Sequence, residues 1–384
     1  MSDRHICQVA LCGHNAGRLR EWYRVVFGMA RGSGRLLTAP PMQTRRIQGI
    51  HPNPAATITW LLDQQDYFQL EFFQYHRPRS QLKPADWRPC DIGYNMMGVF
   101  VSDFDLTLHR YAAHSDLPAP ASLGEAGDRR ACVQDPEGNW IEIMERDPLA
   151  CIAGTDPGIV RPELGAAVRC MRVSVPDLAR ARECYVDAIG LSEVTDHSLH
   201  SPAHEALWGL AGAVTETCLL RGRNFLLELV QYHSHDPQPR PPGYQICDQG
   251  FMNIAVGFDT PGQFDPAFER ATSHGLTPNG KPVDVGIFRV MYVNSADGFS
   301  VEMLCARKPL WFLSGFSSGE PYVENEAVIR ASRDAVWDRV TDHAGIGGWT
   351  VFKSRVLRPG SNPPNGIGCL RELSAFGLRI TEEV

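Results

Sequence analysis

At a typical domain length of about 150 residues, 384 residues amount to roughly two and a half domains, which excludes a lone small module and a long array alike. Hydrophobic residues at 43% and charged residues at 21% form a globular mix that excludes disorder over most of the chain. The 37 Lys and Arg residues and 44 Asp and Glu residues are interspersed, and a net charge of −7 without a basic patch leaves no footprint for nucleic acid. No apolar h-region precedes the first strand-like segment at His5, and no stretch approaches the ~18 apolar residues that span a bilayer, so a soluble, cytoplasmic protein with no membrane partner is expected. Eleven cysteines, odd in number, mostly inside apolar runs and never in a CxxC pair, read as reduced structural thiols.

In chain order, QVAL reads as a strand. Leu19, Trp22, Tyr23, Val26 and Phe27 then take the i, i+3, i+4, i+7, i+8 places of one helix face, with Asn15 to cap that helix and Gly28 to stop it. Phe104 to Ala113 gives a second helix. A strand CMRVSV leads to a third, capped by Asp177, with Leu178, Ala181, Tyr185 and Ile189 on one face and Gly190 at its stop. The fourth is predicted from Asp265-Pro266 through Phe268 and Ala271 to Gly275. Extended runs such as ATITWLL and CLLRGRNFLLELVQY follow the helices, so four βαβββ units in tandem are the simplest plan.

An internal repeat supports that plan. FQLEFFQYH (Phe68 to His76) recurs as FLLELVQYH (Phe225 to His233), which places Glu71 opposite Glu228 at an offset of 157 residues. Gly93-Tyr94 returns as Gly250-Phe251, and DPEGNWIE ending at Glu142 returns as SADGFSVE ending at Glu302. Residues 1–150 and 165–307 are therefore expected as two domains of two units each, joined by Asp147 to Leu164. RPRSQLKPADWRPC (Arg77 to Cys90) and HDPQPRPPGY (His235 to Tyr244) read as crossover loops. Beyond the link Lys308 to Glu320, a strand VENEAVIRA, a Ser332-capped helix with Val336, Trp337 and Val340, a GIGGW turn and two short β segments form a partial third domain over 321–384.

Four glutamates stand inside apolar strands: Glu71 in QLEFF, Glu142 in WIEIM, Glu228 in LLELV and Glu302 in SVEML. A carboxylate buried there is costly unless it is paired, hydrogen-bonded or bound to a metal, and four equivalent places suggest a shared cavity. The bland alternative is that period-two alternation turns each toward solvent or an Arg partner. Tyr75-His76 and Tyr232-His233 at strand ends, with His235 beyond, read as structural hydrogen-bonding pairs at strand exits, and His14 as a surface or capping residue.

RVSVPDLARARECYVDAIGL (Arg172 to Leu191), its copy QVALCGHNAGRLREWYRVVFGM (Gln8 to Met29), and the strand endings DPEGNWIEIM and ADGFSVEML resemble the vicinal oxygen chelate superfamily of glyoxalase I, bleomycin-resistance proteins and type I extradiol dioxygenases. The resemblance covers residues 5–305 and implies an α+β fold in which paired units close into one open barrel per domain. It implies metal ligands on the first strand of a unit, here Gln8, Met96, Cys170 and Asn253, and at the last-strand Glu71, Glu142, Glu228 and Glu302. No histidine stands at any of these places. The extradiol pattern needs His at 170 and 253, and although its signature tyrosine remains as Tyr292, the Asp-Pro that should follow is Ser295-Ala296. A ring-cleaving iron site is therefore not expected.

Two other metal sets stay open. Gln8, Glu71 and Glu142 could hold a hard divalent ion, with Met96 leaving the fourth place open, and Cys170, Glu228, Asn253 and Glu302 would mix soft and hard ligands. The favoured option is metal-free: a buried Glu as general acid or base, led by Glu302 and Glu142, with Glu228 and Glu71 as further candidates and Tyr292 hydrogen-bonding a substrate oxygen. No metal-ligating or cofactor-binding residue is assigned. Residues 322–384 resemble the start of a helix-grip domain of the START and polyketide-cyclase type, through AVIRASRDAVWDRVTDHAGIGGW, PNGIGCLREL and LRITEEV. Its uncovered sheet face is expected to be mobile, exchanged in a homodimer, or packed on the second barrel. Together these resemblances imply an enzyme that rearranges, cyclises, isomerises or cleaves a hydrophobic, oxygenated small molecule of aromatic, polyketide or steroid type. The alternatives are a non-catalytic binding or resistance protein, and a dioxygenase-like enzyme with a nonstandard metal shell.

Overall fold

The computed structural model describes residues 4–37, 41–285, 288–306, 332–342, 345, 353–375 and 378–383. The first unit consists of β1 (His5–Cys12), α1 (Ala16–Phe27), β2 (Ala30–Leu37), α2 (Pro41–Gln48), β3 (Ala55–Leu62) and β4 (Gln69–Arg77). The second consists of β5 (Gly93–Val101), α3 (Phe104–Ala113), β6 (Ser122–Leu123), β7 (Arg130–Gln134) and β8 (Trp140–Met144). In the third, β9 (Ala166–Ser174) leads to α4 (Leu178–Glu183), β10 (Ser192–Val194), α5 (Pro202–Leu207), β11 (Thr215–Arg221) and β12 (Leu226–Tyr232). The fourth has β13 (Gly250–Phe258), α6 (Pro261–Ser273), β14 (Thr277–Pro278), β15 (Val283–Val285), β16 (Phe288–Asn294) and β17 (Ser300–Ala306).

Local chemistry sets the helix ends. Asn15 accepts from the Arg18 amide and Asp177 from the Arg180 amide, each satisfying a donor that the first helical turn leaves free. Gly28 stops α1 at φ 64°, a conformation that a side chain would strain. The third helix departs from expectation, because α4 passes at Cys184 into a π-helical stretch, Cys184–Ile189, before Gly190. Tyr185 and Ile189 stay buried as the periodicity requires. The fourth helix is also corrected. It starts at Pro261 after Thr260 and carries Pro266 inside it, because Pro261 offers the preset first position one turn before Asp265-Pro266.

Partnership between units differs from the expected consecutive pairing. One sheet runs β14-β16-β17-β13-β1-β4-β3-β2, so the first unit pairs with the fourth. The second sheet runs β10-β11-β12-β9-β5-β8-β7-β6 and joins the second and third. The seams are the antiparallel pairs β1 with β13 and β5 with β9. Consecutive units instead meet through their helices: α1 packs on α3, α6 packs on the π-helical stretch, and the Tyr23 hydroxyl donates to Asp135 at 2.9 Å. Sequence repetition establishes which units are equivalent, but either pairing satisfies the first-strand backbone, so it does not choose the partner. Each sheet is curled, with helices on its outer face and the glutamates on its inner face.

Residues 324–384 form a separate compact unit. In it, α7 (Arg333–Val340) has its Ala335 amide bonded to the Ser332 hydroxyl, and β18 (Lys353–Arg358), β19 (Leu370–Ala375) and β20 (Leu378–Glu383) form an antiparallel meander. The predicted strand VENEAVIRA, the link Lys308 to Glu320 and residues 346–349 of the GIGGW turn lie outside the described residues. All eleven cysteines are free thiols, and all but Cys132 and Cys151 are buried. Among the described residues, no helix is long and apolar enough to cross a membrane.

Candidate functional site

The register of the strands sorts the four glutamates into two pairs. In the first sheet Glu71 faces Trp60 across β3–β4 and lies beside Ala10 of β1, while Glu302 faces Tyr292 across β16–β17 and lies beside Ala255 of β13. In the second sheet Glu228 faces Leu219 and lies beside Arg172, while Glu142 faces Cys132 and lies beside Gly98. Neither open metal set survives this arrangement. Glu142 belongs to a different sheet from Gln8 and Glu71, and Cys170 and Glu228 to a different sheet from Asn253 and Glu302. Both sets assumed that consecutive units share a barrel.

All four carboxyls are buried. In the first sheet Gln8 Nε2 donates to Glu71 Oε2 at 2.5 Å and to Glu302 Oε2 at 2.9 Å, so one amide ties the pair together. Gln69 Nε2 holds the Gln8 carbonyl at 2.6 Å and thereby fixes which end of that amide faces the carboxyls. Trp60 Nε1 donates to Glu71 Oε1 at 2.8 Å. Glu302 Oε2 also accepts from the Tyr292 hydroxyl at 2.9 Å and from Asn253 Nδ2 at 3.4 Å. Its other oxygen, Oε1, takes no hydrogen bond from the described residues. Asn253 Oδ1 is a buried acceptor without a donor among the described residues.

None of these partners carries positive charge. Burial, together with the neighbouring Glu302, pushes Glu71 well above the usual carboxylate range, and burial pushes Glu302 up to about 7 against the donors that oppose it. Burial and the adjacent Glu302 hold Tyr292 well above its ordinary value, so it remains a donor. A cavity of about 480 Å³ lies at the Asn294–Ser300 end of the β16–β17 ladder, and its lining includes Gln48, Ile50, Arg240, Met252, Asn294 and Ser300. Asn294 opposes Ser300 in the same ladder in which Tyr292 opposes Glu302, two residues along each strand, so both pairs share a face. Gln48, at the end of α2, accepts from the Tyr75 hydroxyl at 2.8 Å.

The second sheet differs in the charge of the partners, although Glu142 Oε1 is likewise without a hydrogen bond from the described residues. His200 lies between its glutamates, with Nδ1 2.5 Å from Glu228 Oε2 and Nε2 2.8 Å from Glu142 Oε2. Arg172 bonds both Glu228 and Glu205, and Arg130 reaches Glu142 at 3.2 Å. Burial alone would raise these two glutamates, but His200 and Arg130 around Glu142, and Arg172 and His200 around Glu228, hold each down at about 2. Met96 and Cys170 are buried beside them, and a Cβ added at Gly98 would lie 2.2 Å from Cys170 Sγ, so this inner face is filled.

The metal implied by the resemblance finds no matching donors in either sheet. In the first, the carboxylate oxygens of Glu71 and Oε2 of Glu302 are turned onto N–H and O–H donors, and no His stands among them. In the second, the chain's own cations lie between the carboxylates. Among the described residues, no group of three or more His, Cys, Asp or Glu side chains is placed to hold a metal ion.

The structure thus unites Glu71, Glu302 and Tyr292 from the predicted set and separates them from Glu142 and Glu228. His14 is exposed, and His76 bonds Thr57 at 2.8 Å, in keeping with their structural readings. Sequence reasoning missed Arg172, His200 and Glu205. Arg172 had a signal, a charge on an otherwise largely apolar strand at the place of Ala10, whereas His200 lies in a polar loop without any.

No family model and no curated protein matches the chain. Among solved structures, glyoxalase I from Zea mays superposes with a TM-score of 0.51 at 15% identity, covering 81% of this chain and 95% of that one. A mutant of the same enzyme gives 0.52 at 15% identity, over 79% and 94%. A putative dioxygenase from Bacillus subtilis gives 0.53 at 12% identity, over 79% and 86%. With four βαβββ units in two curled sheets and these neighbours, the chain has the vicinal oxygen chelate fold.

Proposed function

We propose that the chain is an enzyme of vicinal-oxygen-chelate type that moves a proton on a hydrophobic, oxygenated small molecule, and so rearranges, isomerises, cyclises or cleaves it, with the Glu71–Glu302 pair as its acid–base centre. The observation that carries this reading is the asymmetric hold on Glu302: three donors fix Oε2, and Oε1 is left for a reacting group. Two buried carboxyls tied by one amide, with no cation beside them, do not both ionise readily, so the pair retains a proton near neutral pH. Glu302 then takes a substrate proton on Oε1, and Gln8 and Tyr292 stabilise the charge as it changes. Asn253 Oδ1 is available to a substrate hydroxyl, and Ile50 and Met252 offer apolar contact in the adjoining cavity.

The test is turnover of a panel of oxygenated aromatic, polyketide-like and steroid-like compounds in D2O, followed by mass spectrometry. Glu302→Gln is expected to lower the rate by about 100-fold or more, as removal of a general base does. Turnover indifferent to Glu302→Gln would contradict the reading, as would stoichiometric iron in the purified protein that this variant loses. A compound that binds beside Glu302 without conversion would favour a binding protein instead.

A further inference from the structure

The inner face of the second sheet holds a cluster of titratable side chains that the acid–base reading does not use. Its centre is the His200 ring, whose side chain is 4% exposed and whose two nitrogens both face carboxylates. A neutral imidazole has one N–H and one lone pair, so one of those carboxylates would meet a lone pair at close range. The imidazolium donates to both carboxylates, and its Nδ1 also lies 2.9 Å from Arg172 Nη1, so the two groups share Glu228 Oε2. Arg172 and Arg130 complete a set of three cations facing three carboxylates, Glu142, Glu205 and Glu228. Of the other titratable groups on this side, the Tyr232 hydroxyl donates to Glu205 at 3.0 Å, the Cys132 and Cys170 thiols lie beside Glu142, and the His204 ring centroid is 5.5 Å from that of His200. The Trp208 ring closes the cluster, its centroid 4.8 Å from His200 and 4.5 Å from the Arg172 guanidinium carbon.

We propose that His200, backed by Arg172, is the resident cation of this sheet: it occupies the place between two strand-end glutamates where the resemblance puts a metal ion, and it makes this half a closed ionic core rather than a second reaction centre. The residue that does this comes from the loop before α5, and α5 itself supplies Glu205 to the other side of Arg172. The corresponding helix of the first unit, α2, supplies the neutral Gln48 instead, so the same scaffold carries a sealed face and an open one.

A double-mutant cycle tests the proposal without involving Glu302, so it stands or falls apart from the acid–base reading. With both glutamates present, His200→Ala is expected to lower the melting temperature by about 8 °C, because it strips a cation from buried carboxylates. In an E142Q/E228Q background the same change is expected to cost less than about 3 °C, since the charge it balanced is gone. An equal drop in both backgrounds would show that the ring only packs on Trp208, and would overturn the proposal. If His200→Ala does not fold alone, its recovery by E142Q/E228Q gives the expected result, and failure in both backgrounds overturns it. Mn²⁺ or Zn²⁺ titrated into the unaltered protein provides a second arm. A thermal stabilisation that disappears in E142Q/E228Q would put the metal, not His200, between these glutamates.

Discussion

The two sheets place two glutamates at equivalent strand positions and surround them with opposite electrostatics. In the second sheet, Arg172 stands where the first has Ala10, and His200 lies between the carboxyls, so both are anions with fixed partners. In the first, the neighbours are Trp60, Gln8, Tyr292 and Asn253, which can donate hydrogen bonds but cannot neutralise charge. All four carboxyls are buried. The difference teaches that one or two residues beside a buried carboxyl decide whether it is a structural ion or a proton carrier.

The largest expected effect breaks the sealed half. Arg172→Ala leaves Glu228 and Glu205 buried without their guanidinium and should destabilise the protein by about 3–5 kcal/mol in urea unfolding. Glu71→Gln, at the place equivalent to Glu228, removes no ion pair and should change stability by less than about 1 kcal/mol. Comparable losses from both would erase the contrast.

Acid titration sharpens it next. Glu142 and Glu228 are held at about 2 in the fold against an ordinary 4.5, so the folded state binds their protons less tightly than the unfolded chain. Their contribution, on the order of 3 kcal/mol each, is present above pH 4.5 and is lost as pH falls toward 2. Unfolding curves of E142Q/E228Q should lack this acid-side slope.

The first sheet predicts the reverse slope at higher pH. Glu302 is raised to about 7, so the fold and the unfolded chain are both protonated there below about pH 4.5. Between 4.5 and 7 only the unfolded chain releases the proton, and stability falls by about 3 kcal/mol as pH rises. Glu302→Gln should remove this share of the decline and leave the share of Glu71, which burial also raises; a decline unchanged by the substitution would refute the assignment. The smallest effect is expected from Tyr292→Phe, which deletes one donor to Glu302. It should cost about 1 kcal/mol and move the Glu302 midpoint upward in a carboxyl NMR titration, because the lost hydrogen bond favoured the ionised form.

Much of this was legible in the residues. Apolar periodicity places α1, the segment Phe104 to Ala113 matches α3, Asn15 and Asp177 mark caps, and the repeat locates all four glutamates on equivalent strands. Pairing between units was not legible, because the first-strand edges β1 and β5 can each accept either neighbour, and it was this pairing that decided which glutamates meet. Tyr292 was found through the resemblance and proves to touch Glu302. Gln8 was read as a ligand, but its amide nitrogen is what links the two carboxyls. His200 was invisible because a loop residue acquires its partners only when the chain folds.

The central claim is that equivalent glutamates in the two sheets hold their protons with very different strength, and a ¹³C-carboxyl NMR titration of glutamate-labelled protein reads it directly. The account predicts a carboxyl assigned to Glu302 that titrates near pH 7, while those of Glu142 and Glu228 stay ionised until about pH 2. Four carboxyls that titrate together between about pH 4 and 5, the range of exposed glutamates, would contradict it.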